Sequence, residues 1–197
     1  MAAKKKAKQK PLFNGYAQHL LSVGPVNTEL ANTLATELSP NAGKKQVVFT
    51  NISEGGDVHT ALGLYDIIQY LGKIEMVAFG SIVSAGNIIF SAAAKRYSLP
   101  HTTFHFHQFS CDINEDLETT DRFVKCTKDL FKQAQDNLVK CGVSPKVAKK
   151  WMSSENFVRT PEALKEGYID GIIDRPQGKL FYYDAKGNLK HKKIGEI

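Results

Sequence analysis

The stretch GSIVSAGN, residues 80–87, lies between two apolar segments and is the most informative part of the chain. MVAF precedes it as a short buried-strand pattern, and IIFSAAAKR follows it with the small residues of a helix that packs closely on a sheet. Ser81 and Ser84 therefore stand where a strand gives way to a helix. Serine at such a junction is a favoured helix N-cap, because its hydroxyl accepts a hydrogen bond from a free backbone N–H. A nucleophilic serine is the alternative, and these eight residues alone leave both interpretations open.

Strand and helix patterns alternate on both sides of this junction. Strand-like segments are AQHLLSV, QVVFTNI, MVAFG, two extended pieces of RYSLPHTTFHFHQ on either side of Pro100, and YIDGII. Helical segments are NTELANTLATEL, VHTALGLYDIIQYL, SAGNIIFSAAAKR, a long helix over residues 115–141, SPKVAKKWM and PEALKEG. The alternation predicts an α/β domain made of βαβ units. KLFYYDAKGNLKHKKI predicts a C-terminal β-hairpin.

Length and charge favour one domain with a basic tail. The chain has 197 residues and a formal net charge of +6, and five of those six charges come from the lysines of MAAKKKAKQK. We therefore expect residues 1–14 to form a disordered lysine-rich tail and residues 15–197 to form a single domain. The rest of the chain does not interleave basic and aromatic residues, which argues against a nucleic-acid-binding protein.

Targeting signals and cysteine usage favour a cytoplasmic protein. No segment approaches the roughly 18 consecutive apolar residues of a membrane span, and no apolar segment follows the N-terminal lysines as in a secretory signal. Cys111, Cys126 and Cys141 lack the spacing of a metal site or redox motif. We expect free thiols in a reducing compartment.

Two further motifs bear on the serine. The turn SEGGDV follows a buried strand, and its glycines let backbone N–H groups approach a ligand oxygen, although an ordinary strand-to-helix turn has the same composition. In the strand FHFHQ, His105 and His107 share one face. Neither an acidic residue nor a cysteine stands near them at metal-ligand spacing, so we expect no metal there. A general base for the serine and a buried structural histidine remain the two interpretations.

The order of these motifs resembles a known family. A GG turn, a helix, a strand, G-x-x-x-S-x-G, a helix, LP, a strand ending in HQ, a long helix and F-x-x-x-PEA-x-x-x-G-x-x-D follow one another from about Leu20 to Asp174. This order is similar to that of the proteolytic subunit of the Clp proteases, ClpP. The resemblance implies a ClpP/crotonase-like spiral of βαβ units with a long handle helix. It also implies a serine endopeptidase that hydrolyses peptides and unfolded proteins without a cofactor or metal.

The resemblance assigns site residues position by position. It makes Ser84 the nucleophile and His107 the general base, and it places the oxyanion-hole N–H groups at Gly56 and Ala85. The chemistry of the junction agrees, since a serine before a helix sets the next N–H and the helix dipole beside a developing oxyanion. The third triad position, an aspartate in the family, is Glu155 here, a carboxylate one methylene longer. We expect it to orient the histidine.

The resemblance also implies an assembly. Leu117, Val124, Phe131 and Leu138 recur every seven residues along the long helix, at the position of the family's handle. We expect two stacked heptameric rings of identical subunits with the active sites inside a chamber, and a Clp-type ATPase as a candidate partner. The short lysine-rich N-terminus has no recognisable counterpart of the family's axial-pore segment, and this weakens the prediction of the ATPase.

Three alternatives remain open from the sequence. A crotonase-like acyl-CoA hydratase or isomerase shares the fold and the oxyanion N–H pair, but it does not pair a serine with a histidine. A serine–lysine enzyme similar to signal-peptide peptidases would need an anchor or an export signal. A catalytically impaired partner subunit is suggested by Glu155, by Glu54 in place of the family's proline, and by FSCDINED in place of the glycine-rich turn after HQ.

Overall fold

The computed structural model describes residues 13, 15–23, 25–52, 54–110, 116–174, 179–184 and 186–193. The predictions for residues 1–12, for Asn14 and for Cys111 lie outside these ranges. Phe13, which the sequence analysis places in the tail, is buried and packs against the rings of Tyr16, Phe49 and Tyr97. The part of the chain that packs on the sheet therefore includes this aromatic residue.

Nine strands and six α-helices occur in the described residues. The strands are β1 (Ala17–Val23), β2 (Gln46–Ile52), β3 (Ile74–Val83), β4 (Lys95–Ser98), β5 (Thr103–Phe106), β6 (Asn156–Arg159), β7 (Gly171–Asp174), β8 (Lys179–Tyr183) and β9 (Leu189–Lys193). The helices are α1 (Thr28–Leu38), α2 (Val58–Leu71), α3 (Ala85–Ser91), α4 (Leu117–Lys140), α5 (Pro145–Met152) and α6 (Thr160–Lys165). The α/β class, the long helix and the C-terminal hairpin are confirmed.

The strands join into one sheet with the order β1-β2-β3-β4-β7-β8-β9, and β5 and β6 branch from β3. The pairs among β1, β2, β3, β4 and β7 and the pair β3–β5 are parallel. The pairs β5–β6, β7–β8 and β8–β9 are antiparallel. Helical crossovers connect the parallel strands, as βαβ units require. The carboxyl ends of β3 and β5 consequently lie side by side.

The strand β3 extends further than the sequence predicts. We expected it to end at Gly80, but it continues to Val83 and pairs first with β4 and then with β5. Gly80 has φ 66°, a left-handed conformation that favours glycine, and an added Cβ there would lie 2.9 Å from the Asn51 side-chain nitrogen. The glycine therefore redirects the strand toward β5 instead of ending it.

The helices α1 and α2 bury apolar faces of helical spacing against the sheet. Leu30, Leu34 and Leu38 of α1 are buried, and the helix is capped by Asn27, whose side chain accepts a hydrogen bond from the Leu30 N–H at 3.0 Å. Asp57 caps α2 by accepting from the Thr60 N–H at 2.7 Å. Hydrogen bonds from the Thr60 side chain and from the Thr60 N–H lower the pKa of the Asp57 carboxyl. None of the helices among the described residues has the length and apolar character of a membrane span.

The helix α4 packs on the protein along its second half only. Leu138 is buried and Phe131 packs edge-on against Phe109, with ring centroids 5.3 Å apart. Leu117 and Val124 are exposed. The seven-residue stripe is thus divided: its C-terminal members belong to the core of this protomer, and its N-terminal members lie on the surface.

Candidate active site

Ser84 occupies a sharp turn between β3 and α3. Its backbone has φ 53° and ψ −122°, and among the described non-glycine residues only Lys73 shares a positive φ. A non-glycine residue in such a sparsely populated region costs on the order of 1–3 kcal/mol, and such residues cluster at functional sites. The Ser84 side chain makes no capping hydrogen bond to α3. Ser84 therefore stands at the N-cap position of α3 without capping it through its hydroxyl, and the geometry is that of a strand-to-helix turn that presents a side chain.

Neighbouring backbone holds the turn in place. The Ser84 N–H donates to the His105 carbonyl at 2.9 Å, which fastens the turn to β5. Gly55 packs directly against the serine, since an added Cβ there would lie 2.6 Å from Ser84 Cβ. An added Cβ at Gly86 would lie 2.7 Å from Ile52 Cγ2. The glycines around the serine are thus required by close packing.

The two residues expected to supply oxyanion N–H groups flank this turn. Gly56 belongs to a loop held by Val26, whose N–H donates to the Gly55 carbonyl at 2.5 Å and whose carbonyl accepts from the Asp57 N–H at 2.9 Å. No backbone hydrogen bond within the described ranges uses the Gly56 N–H. Ala85 is the first residue of α3, where an N–H has no partner inside the helix. Both groups are therefore free to donate to a ligand.

His107 directly follows β5 and faces the same cavity as Ser84. The cavity is lined by Ser84, Asn87, Ile88, Phe106, His107, Phe109, Ala134, Leu138 and Met152. The Nδ1 atom of His107 lies 2.5 Å from the Gln108 carbonyl oxygen. A carbonyl only accepts, so in the neutral imidazole the proton is on Nδ1 and Nε2 has the free lone pair. The two side chains share the cavity without a direct hydrogen bond, and bonds between nucleophile and base often form only with substrate bound.

Glu155 pairs with a different histidine from the expected one. Its carboxylate hydrogen-bonds Nε2 of His105, and the His105 ring stacks on Phe157 with centroids 4.2 Å apart. The rings of His105 and His107 lie 5.4 Å apart. The Glu155 side chain is 68% exposed. The role of Glu155 in orienting His107 stays a prediction, and His105, to which the resemblance assigns no role, competes for the carboxylate.

Sequence reasoning also missed a buried amide in the site. Asn87 lies on the first turn of α3 and lines the cavity, and its Nδ2 donates to the His105 carbonyl at 2.8 Å. Its position one residue after G-x-x-x-S-x-G was the only available signal. Within the described ranges no three His, Cys, Asp or Glu side chains come together as a metal site would require.

The comparison with protein families agrees with the order of the motifs. The family model described as Clp protease matches residues 14–176, from just before β1 to just after β7. The hairpin of β8 and β9 lies beyond the match. The match covers most of the chain and confirms the resemblance. With the turn at Ser84, the strand β5 and the long helix α4 in the expected order, the chain belongs to the Clp protease family, a family of peptidases.

Proposed function

We propose that this peptidase is a serine endopeptidase with Ser84 as nucleophile and His107 as general base. One observation carries the proposal: Ser84 has a left-handed backbone, makes no capping bond and faces the same cavity as His107. A serine that served only as a cap would have an extended backbone and a bonded hydroxyl. The substrates are peptides and unfolded proteins, as for the family.

The reaction follows from the placement of the groups. His107 Nε2 removes the proton from Ser84 Oγ as the oxygen attacks the scissile carbonyl carbon. The carbonyl oxygen becomes an oxyanion that accepts hydrogen bonds from the N–H groups of Gly56 and Ala85. Collapse of this intermediate breaks the C–N bond, and His107 gives its proton to the leaving amine. A water molecule, activated by the same histidine, then releases the carboxylic acid and restores the serine.

The cavity beside Ser84 favours apolar residues next to the cleaved bond. Ile88, Phe106, Phe109, Leu138 and Met152 supply most of its wall. A wall of this kind stabilises an apolar side chain by removing its surface from water, and it disfavours a charged one because no counter-charge lines it. We therefore expect cleavage after apolar residues.

Glu155 is the acid of the proposed triad. Its exposed carboxylate hydrogen-bonds His105, and the proposed triad requires it to move from that ring to the His107 ring, whose centroid lies 5.4 Å away. A carboxylate at His107 Nδ1 would replace the Gln108 carbonyl, stabilise the imidazolium that forms during the reaction and keep the correct tautomer.

Assembly of the protomers is supported by α4. Leu117, Phe123 and Val124 are exposed on its N-terminal half, where a soluble helix would be polar. We propose that this exposed half of α4 joins two stacked heptameric rings of identical subunits. A Clp-type ATPase remains the candidate partner, and the cytoplasm the proposed location. The pairing of Glu155 with His105 is what an impaired subunit would show, and the labelling experiment distinguishes that alternative from an active enzyme.

Covalent labelling with a fluorophosphonate tests the proposal. This reagent reacts with a serine that has an activating base and an oxyanion hole. We expect labelling of Ser84, full loss in Ser84→Ala, strong loss in His107→Ala and no change in the control Ser81→Ala. Absence of labelling in folded, assembled protein, or labelling at full rate in His107→Ala, would refute the proposed chemistry.

A further inference from the structure

A buried amide links the nucleophile turn to the strand that leads to the general base. Asn87 is only 3% exposed. Its Nδ2 group donates to the His105 carbonyl at 2.8 Å and also reaches the carbonyls of Ile82 at 3.3 Å and Ser84 at 3.4 Å. These carbonyls belong to the end of β3, the turn and β5. A single side chain thus holds three backbone segments that converge at the site.

A buried phenol fixes the orientation of this amide. The Tyr168 hydroxyl donates to Asn87 Oδ1 at 3.1 Å and lies 3.3 Å from the Asn87 carbonyl oxygen. Complete burial raises the pKa of Tyr168 well above its ordinary value, so the hydroxyl keeps its proton and remains a donor. A flipped amide would turn Oδ1 toward three carbonyl oxygens, which cannot donate to it. Only the observed orientation satisfies every group.

The phenol is itself closely packed. The rings of Phe90, Phe104 and Phe106 surround Tyr168 at centroid distances of 5.7, 5.1 and 5.4 Å. Close-packed aromatic cores leave such a ring no other position. The hydroxyl therefore provides a fixed reference point for Asn87.

The carbonyl of His105 is the shared element of this arrangement. It accepts from the Ser84 N–H at 2.9 Å and from Asn87 Nδ2 at 2.8 Å, and it lies two residues before His107. We propose that Asn87, oriented by Tyr168, is a positioning residue that sets the distance between the Ser84 nucleophile and the His107 base. This inference rests on the proposed function.

Two substitutions remove parts of the linkage. Tyr168→Phe deletes only the hydroxyl, and Asn87→Ala deletes the amide. Ser91→Ala is the matched control, since it removes a buried hydrogen bond on the same helix, from Ser91 Oγ to the Ile88 carbonyl at 2.6 Å, without touching the turn or β5. Each full-length variant is assayed for thermal unfolding, for the rate of fluorophosphonate labelling at Ser84, and for kcat and KM on a fluorogenic peptide, at temperatures where it is folded.

Positioning predicts a loss in kcat with KM little changed. We expect labelling rate and kcat to fall about 10-fold to 100-fold in Asn87→Ala, because misplacement of a reacting group by about 1 Å costs about 10²-fold. We expect a fall of about 3-fold to 10-fold in Tyr168→Phe, the net effect of one hydrogen bond. Ser91→Ala should lower the unfolding temperature but label within about 2-fold of the parent rate.

The outcomes separate this inference from the proposed function. Labelling of the parent protein together with full-rate labelling of Tyr168→Phe and Asn87→Ala would overturn the positioning role and leave the serine chemistry intact. If Asn87→Ala does not fold, Tyr168→Phe alone decides between the two results. A parent protein that is not labelled at Ser84 would overturn both proposals.

Discussion

Glu155 offers the sharpest test of the proposed triad, because the structure pairs it with His105 and the chemistry needs it at His107. Two substitutions address the two histidines separately. Glu155→Gln removes the negative charge but keeps the shape of the side chain. His105→Phe removes the competing hydrogen bond and keeps an aromatic ring to stack on Phe157, whose centroid lies 4.2 Å away.

The exposure of the pair sets the expected size of each effect. With its side chain 68% exposed, Glu155 forms a surface hydrogen bond with His105, which contributes no more than the about 0.2–1 kcal/mol of an exposed ion pair. Releasing the carboxylate from His105 should therefore raise kcat by about 1.4-fold to 5-fold. Removing it altogether should lower kcat far more, by up to about 10⁴, the loss seen when a triad loses its orienting carboxylate.

Steady-state cleavage of a fluorogenic peptide by the single variants and the double variant decides the matter. The double variant should have the same kcat as Glu155→Gln alone, because His105 affects catalysis only by binding the carboxylate, which both variants lack. Glu162→Gln is the control for loss of an exposed carboxylate away from the cavity. A change of less than about 5-fold in Glu155→Gln would refute the reasoning. His107 would then work as a dyad with Ser84, oriented by the Gln108 carbonyl.

Two other predictions concern packing. Gly55→Ala should abolish labelling of Ser84, since the new Cβ would lie 2.6 Å from Ser84 Cβ. The control Gly63→Ala, on the exposed face of α2, should instead raise the free energy of unfolding by about 1 kcal/mol. Labelling of Gly55→Ala at the parent rate would contradict the role of this close contact. Phe123→Glu should lower the mass measured by light scattering without affecting the fold, whereas Leu138→Asp should lower the unfolding temperature because the charge is buried. An unchanged mass in Phe123→Glu would show that the exposed N-terminal half of α4 is not the interface.

Much of the fold could be predicted because local signals and burial agree. The segments QVVFTNI and VHTALGLYDIIQYL coincide with β2 and α2, where an apolar strand is followed by a capped helix with a buried face. The end of β3 could not be predicted in the same way. Glycine usually marks a turn, and only the contact of Gly80 with Asn51 shows that here it bends a strand. Backbone direction in such a case depends on a neighbour 29 residues away along the chain.

The stripe on α4 shows a second limit of sequence patterns. Spacing of seven residues predicts that Leu117, Val124, Phe131 and Leu138 share a face, but it carries no information on what covers that face. In the structure the protomer itself covers Leu138 and leaves Leu117 exposed. Apolar periodicity therefore predicted the helix, whereas the division between core and surface depended on where α5 and the site cavity lie.

The candidate site also has features that the sequence predicts and features that it does not. The approach of Ser84 and His107 follows from topology, since parallel strands end at one edge of a sheet and both residues follow such ends. The partner of Glu155 does not follow from it, because an exposed side chain between two histidines is placed by small energies that a motif does not encode. The role of Asn87 is even harder to predict from local sequence, since the hydroxyl that orients its amide belongs to Tyr168, 81 residues away. Motifs can thus identify candidate reacting residues, whereas the residues that position them can be identified only from the packing of the core.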